Sequence, residues 1–298
     1  MRANEKLTEI NLDDLVSSFG WQDQPLAARL LRIIFRGPSA KFARMMLAFD
    51  TQIGKSSLPD AARIAIQDFA LGVQAFGIEN VPAQGPVLFL SNHPGMVDTL
   101  ALFSAINRAD LRIIALNRPF LLSLSNTSKH LFYVSEDSNE RLRAVKGAAA
   151  HLRSGGAVLT FPAGQIEPDP KVYPGAEQAL HGWTDSAGVF MRFAPETKIV
   201  PVLVSGVLWE KAVKFPLVWV KKTQVEREKL GAAFQLLAHV LFNARPLRVS
   251  VQFACPLSLQ EIGSKDMAAT HRLIMDRMRG LVQNLPQGSG ELVSLAVA

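Results

Sequence analysis

Short apolar runs and amphipathic stretches alternate along this chain, and the alternation predicts its layers. The run Val87, Leu88, Phe89, Leu90 is apolar at every position, as a strand covered on both faces would be, and it ends in a polar turn of Asn92, His93, Pro94 and Gly95. Ahead of it GVQAFGIENVP (72–82) alternates and turns, so two strands lead to the histidine. Further strands are predicted at RIIALN (112–117), LFYVS (131–135), AVLTFPAG (157–164), KIVPVLVSG (198–206) and RPLRVSVQFACPL (245–257). Helical spacing marks Thr99 to Asn107, a stretch closed by Gly155-Gly156, a segment around SAGVFMRFAPE (186–196), residues 226–244, and LIMDRMRGLVQNL (273–285). Strands alternating with helices predict an α/β fold whose sites lie at strand carboxyl ends, and His93, Pro162 and Pro201 are expected at or near such ends.

The first seventy residues read differently. LAARLLRIIFR (26–36) is the first clear helix, with Arg29, Arg32 and Arg36 inside an arc of about 60° and apolar residues around the rest. Gly37-Pro38 is expected to break it before KFARMMLAF (41–49) continues in the same style, and Leu58 to Ala70 makes a second helix. Two readings stand for the arginine-bearing helix: one docked on the core with its arginines in water, or one lying on anionic lipid. The expected organisation is an N-terminal helical region (1–71), an α/β domain (72–262), and a C-terminal helix and tail packed on it (263–298).

Composition agrees with a folded globular chain: 48% apolar and 19% charged residues over 298 positions. The +6 net charge is uneven. Residues 25–49 hold Arg29, Arg32, Arg36, Lys41 and Arg44 with no acid, and residues 207–248 hold eight Lys/Arg against three Glu, which points to an anionic membrane surface as partner. No zinc-ligand spacing, recognition motif or aromatic stacking series accompanies that charge, so nucleic acid is not expected. The lone Cys255 excludes an internal disulfide and reads as a small buried side chain at a strand end. The polar N-terminus is no secretory signal, and the longest apolar runs stop short of the about 18 to 20 residues a spanning helix needs. A cytoplasmic protein peripherally associated with a membrane is expected.

The candidate chemistry centres on His93 and Asp98. Pro94 biases the histidine out of helical angles and Gly95 permits a sharp bend, so imidazole and carboxylate can fold back on each other and form an oriented general base. His271 and Asp276 repeat the five-residue interval, but on helical spacing, where side chains five apart point about 140° from each other. The proline-glycine turn from Phe161 to Gly164 allows backbone amides to face a site and polarise a carbonyl, or is simply a tight strand exit.

Three segments, SNHPGMVD (91–98), VLTFPAGQIEP (158–168) and IVPVLVSG (199–206), resemble in order and spacing the glycerolipid acyltransferase superfamily: its NH-x4-D block, its FPEGTR-type block and its late strand with a proline. The resemblance covers about residues 72–207. It implies a mixed, largely parallel sheet flanked by helices and transfer of a fatty acyl group from acyl-CoA or acyl-carrier protein, the co-substrate in place of any cofactor, to a lipid-like acceptor. By that carry-over His93 is the base and Asp98 its support, with Asn92, Phe161, Pro162, Gly164 and Pro201 as substrate-binding positions.

The departures are informative. Ala163 and Ile166 stand where the family has glutamate and arginine, and Glu136 falls where its second block ends in arginine. Arg118, Arg141 and Lys171 are then the candidate cations for an acceptor headgroup, and Glu167 a candidate for the displaced carboxylate. Two other functions stand beside transfer: an acyl-thioester hydrolase, in which His93 activates water, and a non-catalytic lipid-binding homologue, to which the lost arginines point. Oligomeric state and acceptor are not legible.

Overall fold

The computed structural model describes residues 3–220, 223–242, 244, 247–262 and 266–293. Lys221, Lys222 and Arg245 of the basic stretch lie outside them, as does the expected boundary at 263. Eight strands form one sheet in the order β4-β3-β5-β2-β6-β7-β1-β8. These are β1 (Ala70–Phe76), β2 (Val87–Ser91), β3 (Arg112–Leu116), β4 (Leu131–Val134), β5 (Ala157–Thr160), β6 (Lys198–Ser205), β7 (Leu247–Phe253) and β8 (Glu291–Leu292). The run from β4 to β6 is parallel; β7 turns antiparallel to β6, carries β1 parallel to itself, and β8 closes the edge antiparallel. The expected mixed, largely parallel sheet flanked by helices is therefore present.

β2 sits in the middle, with β5 on one side and β6 on the other, and all five of its residues are buried, which is why it reads as unbroken apolar sequence. From β2 the chain runs through α4 (Met96–Ile106) out to β3 and β4, and returns through α6 (Ser138–Arg153) to β5. The strands leading to and from β2 thus part at its carboxyl end, the usual place for a crevice in such a sheet.

One face of the sheet is covered by α2 (Pro25–Lys55), α3 (Leu58–Ile66) and α4, which bury Phe42, Met46, Ile53, Leu58, Ile66 and Leu102 against Val87, Phe89, Val200 and Val249. The other is covered by α6, α8 (Ser186–Phe193) and α12 (Met267–Gln283), around Leu152, Phe190, Ile274 and Met278. Leu7 of α1 (Ala3–Phe19) belongs to the first core, so the N-terminal helices and the sheet share one interior.

The helix expected to stop at Gly37-Pro38 does not stop: α2 is continuous for 31 residues with Pro38 inside it. An interior proline costs about 3 kcal/mol. Beyond it Phe42, Ala43, Met46, Phe49 and Ile53 are all buried, and full burial of each large side chain is worth roughly 1.5–3 kcal/mol, so packing outweighs the break. α3 is shorter than expected, ending at Ile66, because Ala70 already pairs in β1.

α2 is docked on the core by its second half, and Arg29 and Arg36 of its first half are exposed. Arg32 pairs with Glu9 and Asp13 of α1 and Arg36 with Glu9, at the surface, where Arg36 remains 65% exposed. Leu26 (83% exposed), Leu30 (59%), Ile33 (66%) and Ile34 (56%) face outward as well. Among the described residues no helix is long and apolar enough to cross a membrane.

Candidate active site

Past Ser91 the chain leaves the sheet in steps. The Asn92 side chain acts as one more rung of the ladder: its Nδ2 donates to the Val204 carbonyl (2.9 Å) and its Oδ1 accepts from the Val204 amide (2.7 Å). Asn92 therefore anchors the turn to β6, and its side chain is buried there. Pro94 and Gly95 then bend the chain into α4, whose first turn carries Asp98.

That corner brings the pair together. His93 Nδ1 lies 2.8 Å from Asp98 Oδ2, and the same oxygen accepts the Gly95 amide at 2.9 Å. Thr99 Oγ1 donates to Oδ1 at 2.9 Å, so both oxygens of a carboxylate with 0% exposure are satisfied. A carboxylate in the first turn is also favoured by the partial positive charge of the helix N-terminus. With Nδ1 committed, Nε2 is the nitrogen of His93 without a partner among the described residues, on a side chain that remains 27% exposed.

Burial disfavours the charged imidazolium, but the charge and hydrogen bond of Asp98, with Glu167 behind, outweigh it and raise the His93 pKa above 6.5. The Phe161 ring stacks on the imidazole at a centroid distance of 4.5 Å and 29°. The His93 backbone is held by Glu167: its amide donates to Glu167 Oε2 (3.1 Å), and the Glu167 amide donates to its carbonyl (3.0 Å). The other oxygen of Glu167 accepts the indole N–H of Trp183 at 2.8 Å. Burial pushes the Glu167 carboxyl up to about 7, although the bonds from Trp183 and from the His93 amide, and the His93 charge, pull the other way.

The turn after β5 lies beside this pair. Gly164 adopts φ +63°, a conformation that favours glycine, and its amide closes the turn onto the Phe161 carbonyl (3.0 Å). Pro162 is buried and its carbonyl accepts the Thr184 amide. The amides of Ala163, Gln165 and Ile166 have no partner among the described residues. Asp169 fixes the opposite wall: its carboxylate, raised in pKa by burial, accepts the amides of Lys171, Gly206, Val207 and Leu208. Beside Gly95, a cavity of about 200 Å³ runs between Val97, Val207, Leu208, Leu236 and Phe69, mostly apolar.

Of the residues expected from sequence, His93, Asp98, Phe161 and Glu167 come together. Pro201 is not at a strand end. It lies buried in the middle of β6 opposite Leu90, and its missing N–H falls one residue before the β6–β7 ladder begins at Val202. Arg118 is exposed at the start of α5 (Pro119–Leu122), near Asp14 of α1. Arg141 is exposed on α6, its guanidinium 3.4 and 3.5 Å from the carbonyls of Ser135 and Glu136. Lys171 is committed to Ser250 Oγ at 2.7 Å. Cys255, expected to be buried, is exposed in the loop just after β7. Trp183, Thr99 and Asp169 were not anticipated; Trp183 is ninety positions from His93 and no local pattern joins them, whereas Thr99 directly follows Asp98.

Residues 72–205 match the protein-family model described as Acyltransferase. The solved structures that match include the crystal structure of the 1-acyl-sn-glycerophosphate (LPA) acyltransferase PlsC from Thermotoga maritima, with a TM-score of 0.50 and 15% identity over 97% of this chain and 100% of that one. No curated protein matches. The similarity of fold reaches beyond the matched segment to the N-terminal helices and to the strands after β6, while the chemistry concentrates inside the segment. The segment that carries His93, Asp98 and the 161–166 turn thus matches the Acyltransferase family, in a chain whose fold is similar to that of PlsC.

Proposed function

We propose that this protein moves a fatty acyl group from an acyl thioester, on coenzyme A or acyl-carrier protein, to a lipid-like acceptor at a membrane surface in phospholipid or glycerolipid metabolism. The observation that carries the reading is the His93 to Asp98 contact at 2.8 Å, which leaves Nε2 as the only ring nitrogen without a partner among the described residues. Nε2 takes the proton of the acceptor hydroxyl or amine as its oxygen or nitrogen attacks the thioester carbonyl carbon. The tetrahedral oxyanion is met by the spare amides of the 163–166 turn. Collapse breaks the carbon–sulfur bond, and the departing thiolate receives the proton from the imidazolium. No enzyme nucleophile takes part, and the apolar cavity beside Gly95 is the place for the acyl chain.

The acceptor we read as neutral or cationic in its head group. The Thermotoga maritima protein is a 1-acyl-sn-glycerophosphate acyltransferase. In this chain Ile166 and Glu136 fall where the family's arginines are expected, and Arg141 is exposed, its guanidinium turned to the backbone carbonyls of Ser135 and Glu136. Lysophosphatidate and glycerol 3-phosphate should then be poor acceptors beside amines, polyols or glycolipids. Incubating the protein with a radiolabelled acyl thioester and such a panel tests both steps. New acyl-lipid supports transfer, and free fatty acid alone or no turnover overturns it. Efficient use of lysophosphatidate that is lost in Arg141→Ala would overturn the acceptor reading, and Glu136→Arg should improve phosphate acceptors.

Peripheral attachment rests on the outward apolar face of α2. A second exposed group, Leu217, Trp219, Val220 and Phe242, lies in the loop before α10 (Gln224–Phe242) and at its end. Because α1 neutralises two arginines of α2, apolar insertion should carry more of the binding than charge does. Liposome sedimentation should show binding enhanced by anionic lipid and only partly reversed by salt. Leu30→Asp with Ile33→Asp should abolish it; unchanged binding would count against this face.

A further inference from the structure

Glu167 is an unusual residue to find beside a catalytic base. It is buried, yet it touches the backbone of His93 rather than its ring, and it does so twice: Oε2 accepts the His93 amide, and the Glu167 amide donates to the His93 carbonyl. Its second oxygen is filled by the Trp183 indole N–H, from the segment whose Thr184 amide also donates to the Pro162 carbonyl. Both donors are N–H groups, which can only donate, so both carboxylate oxygens must accept. An ionised carboxylate meets that demand. A protonated one meets it less well, because its hydroxyl oxygen keeps some acceptor capacity but the charge that strengthens both bonds is gone.

We propose that Glu167 and Trp183 are a positioning pair for His93, and that the pair holds the base in register only while Glu167 is ionised. This rests on the reading of His93 as the base. The other restraints on the residue act on its ring, through Asp98 and Phe161. Glu167 alone ties its backbone across to the turn that follows β5, and so fixes the distance between Nε2 and the spare amides at 163–166. The charged groups acting on Glu167 are His93 and Asp98. Asp169 is turned to the amides of 206–208, Glu177 to Gln283, and His181 and Asp185, on the segments flanking Trp183, are exposed. Its carboxyl is pushed up to about 7, so the pair changes state close to neutral pH.

The role separates from a purely electrostatic one by the sign of a shift. If Glu167 merely supported the imidazolium by charge, neutralising it would make His93 easier to deprotonate, and the acid limb of the rate profile would move to lower pH. If it positions the backbone and must be ionised, then Trp183→Phe, which removes a hydrogen bond to the charged form, raises the Glu167 pKa and moves the acid limb to higher pH. The experiment is kcat and KM for acyl transfer from a soluble acyl thioester across about pH 5.5 to 9, in wild type, Trp183→Phe, Glu167→Gln and His93→Ala.

Expected are an upward shift of the limb in Trp183→Phe and a fall in kcat of about tenfold or more in Glu167→Gln with KM little changed, since glutamine puts an N–H against an N–H. A limb that moves down or stays fixed in a folded Trp183→Phe protein overturns the proposal. Turnover by His93→Ala would overturn the underlying reading instead. Should the variants fail to fold, the wild-type Trp183 indole N–H resonance gives the answer, because it bonds Glu167 and not His93. It should titrate near neutral pH together with the rate, and a flat signal across the limb overturns the proposal.

Discussion

His93 and Asp98, and His271 and Asp276, are separated by the same interval, and only the first pair makes contact. His271 and Asp276 both lie on α12, where five residues turn the chain through more than a full circle, and Asp276 answers Arg279 at 2.7 Å with its side chain 66% exposed. His93 precedes a corner. The chain ends a strand, bends at Pro94-Gly95 and begins a helix, so the interval folds back on itself and closes to 2.8 Å around a carboxylate with 0% exposure. An interval has chemical meaning only together with the backbone that spans it. What surrounds the interval matters as much: the first pair has a stacked ring, two clamped backbone groups and three donors on its carboxylate, and the second has an ion pair in solvent.

The comparison breaks most visibly at the first pair. His93→Ala should reduce acyl transfer by about 10²- to 10⁴-fold while the protein still unfolds cooperatively within a few degrees of wild type, as initial rates and calorimetry would show. Asp98→Asn should cost a comparable factor. It should also move the remaining acid limb to lower pH, since Asp98 is what raises His93 against the effect of burial. An Asp98→Asn enzyme with an unmoved limb would contradict the electrostatics given above.

A smaller effect is expected from the ring beside His93. Phe161→Ala removes a stacking contact worth about 0.5–1.5 kcal/mol, which corresponds to a loss of roughly three- to tenfold in kcat if the contact is kept in the transition state. Phe161→Tyr should retain most of the rate.

Next comes stability. Glu167 and His93 both have folded pKa values above their ordinary ones, so each favours the folded state most at low pH and loses that contribution as pH rises through the folded value. For Glu167, between 4.5 and about 7, the full effect is at most on the order of 3 kcal/mol. Thermal unfolding should therefore occur a few degrees lower at pH 8 than at pH 6, and Glu167→Gln should flatten the difference.

The smallest effect sharpens the comparison from the other side. His271→Ala should leave transfer unchanged, and Asp276→Asn should cost at most about 0.5 kcal/mol of stability, the range of an exposed ion pair. A rate loss in either would mean that α12 reaches the site in a way this geometry does not provide.

The sequence by itself determined the layers and the position of His93. β2, β5 and β6 are legible because a strand buried on both faces must be largely apolar, and His93 is legible because a proline-glycine corner after such a strand leaves few alternatives. Lone side chains and long-range partners were not legible. The continuity of α2 through Pro38 was decided by burial of Phe42, Met46, Phe49 and Ile53, which no local propensity contains. The pairing of Arg32 and Arg36 was decided by Glu9 and Asp13 on another helix. Asn92 became a rung of the sheet because Val204 stands opposite it, and Glu167 became a clamp because Trp183 and the His93 backbone both offer it an N–H in a place without water to compete. Periodicity records which face of an element is buried. It does not record which donor meets which acceptor, because that depends on residues brought together only when the sheet and its helices close.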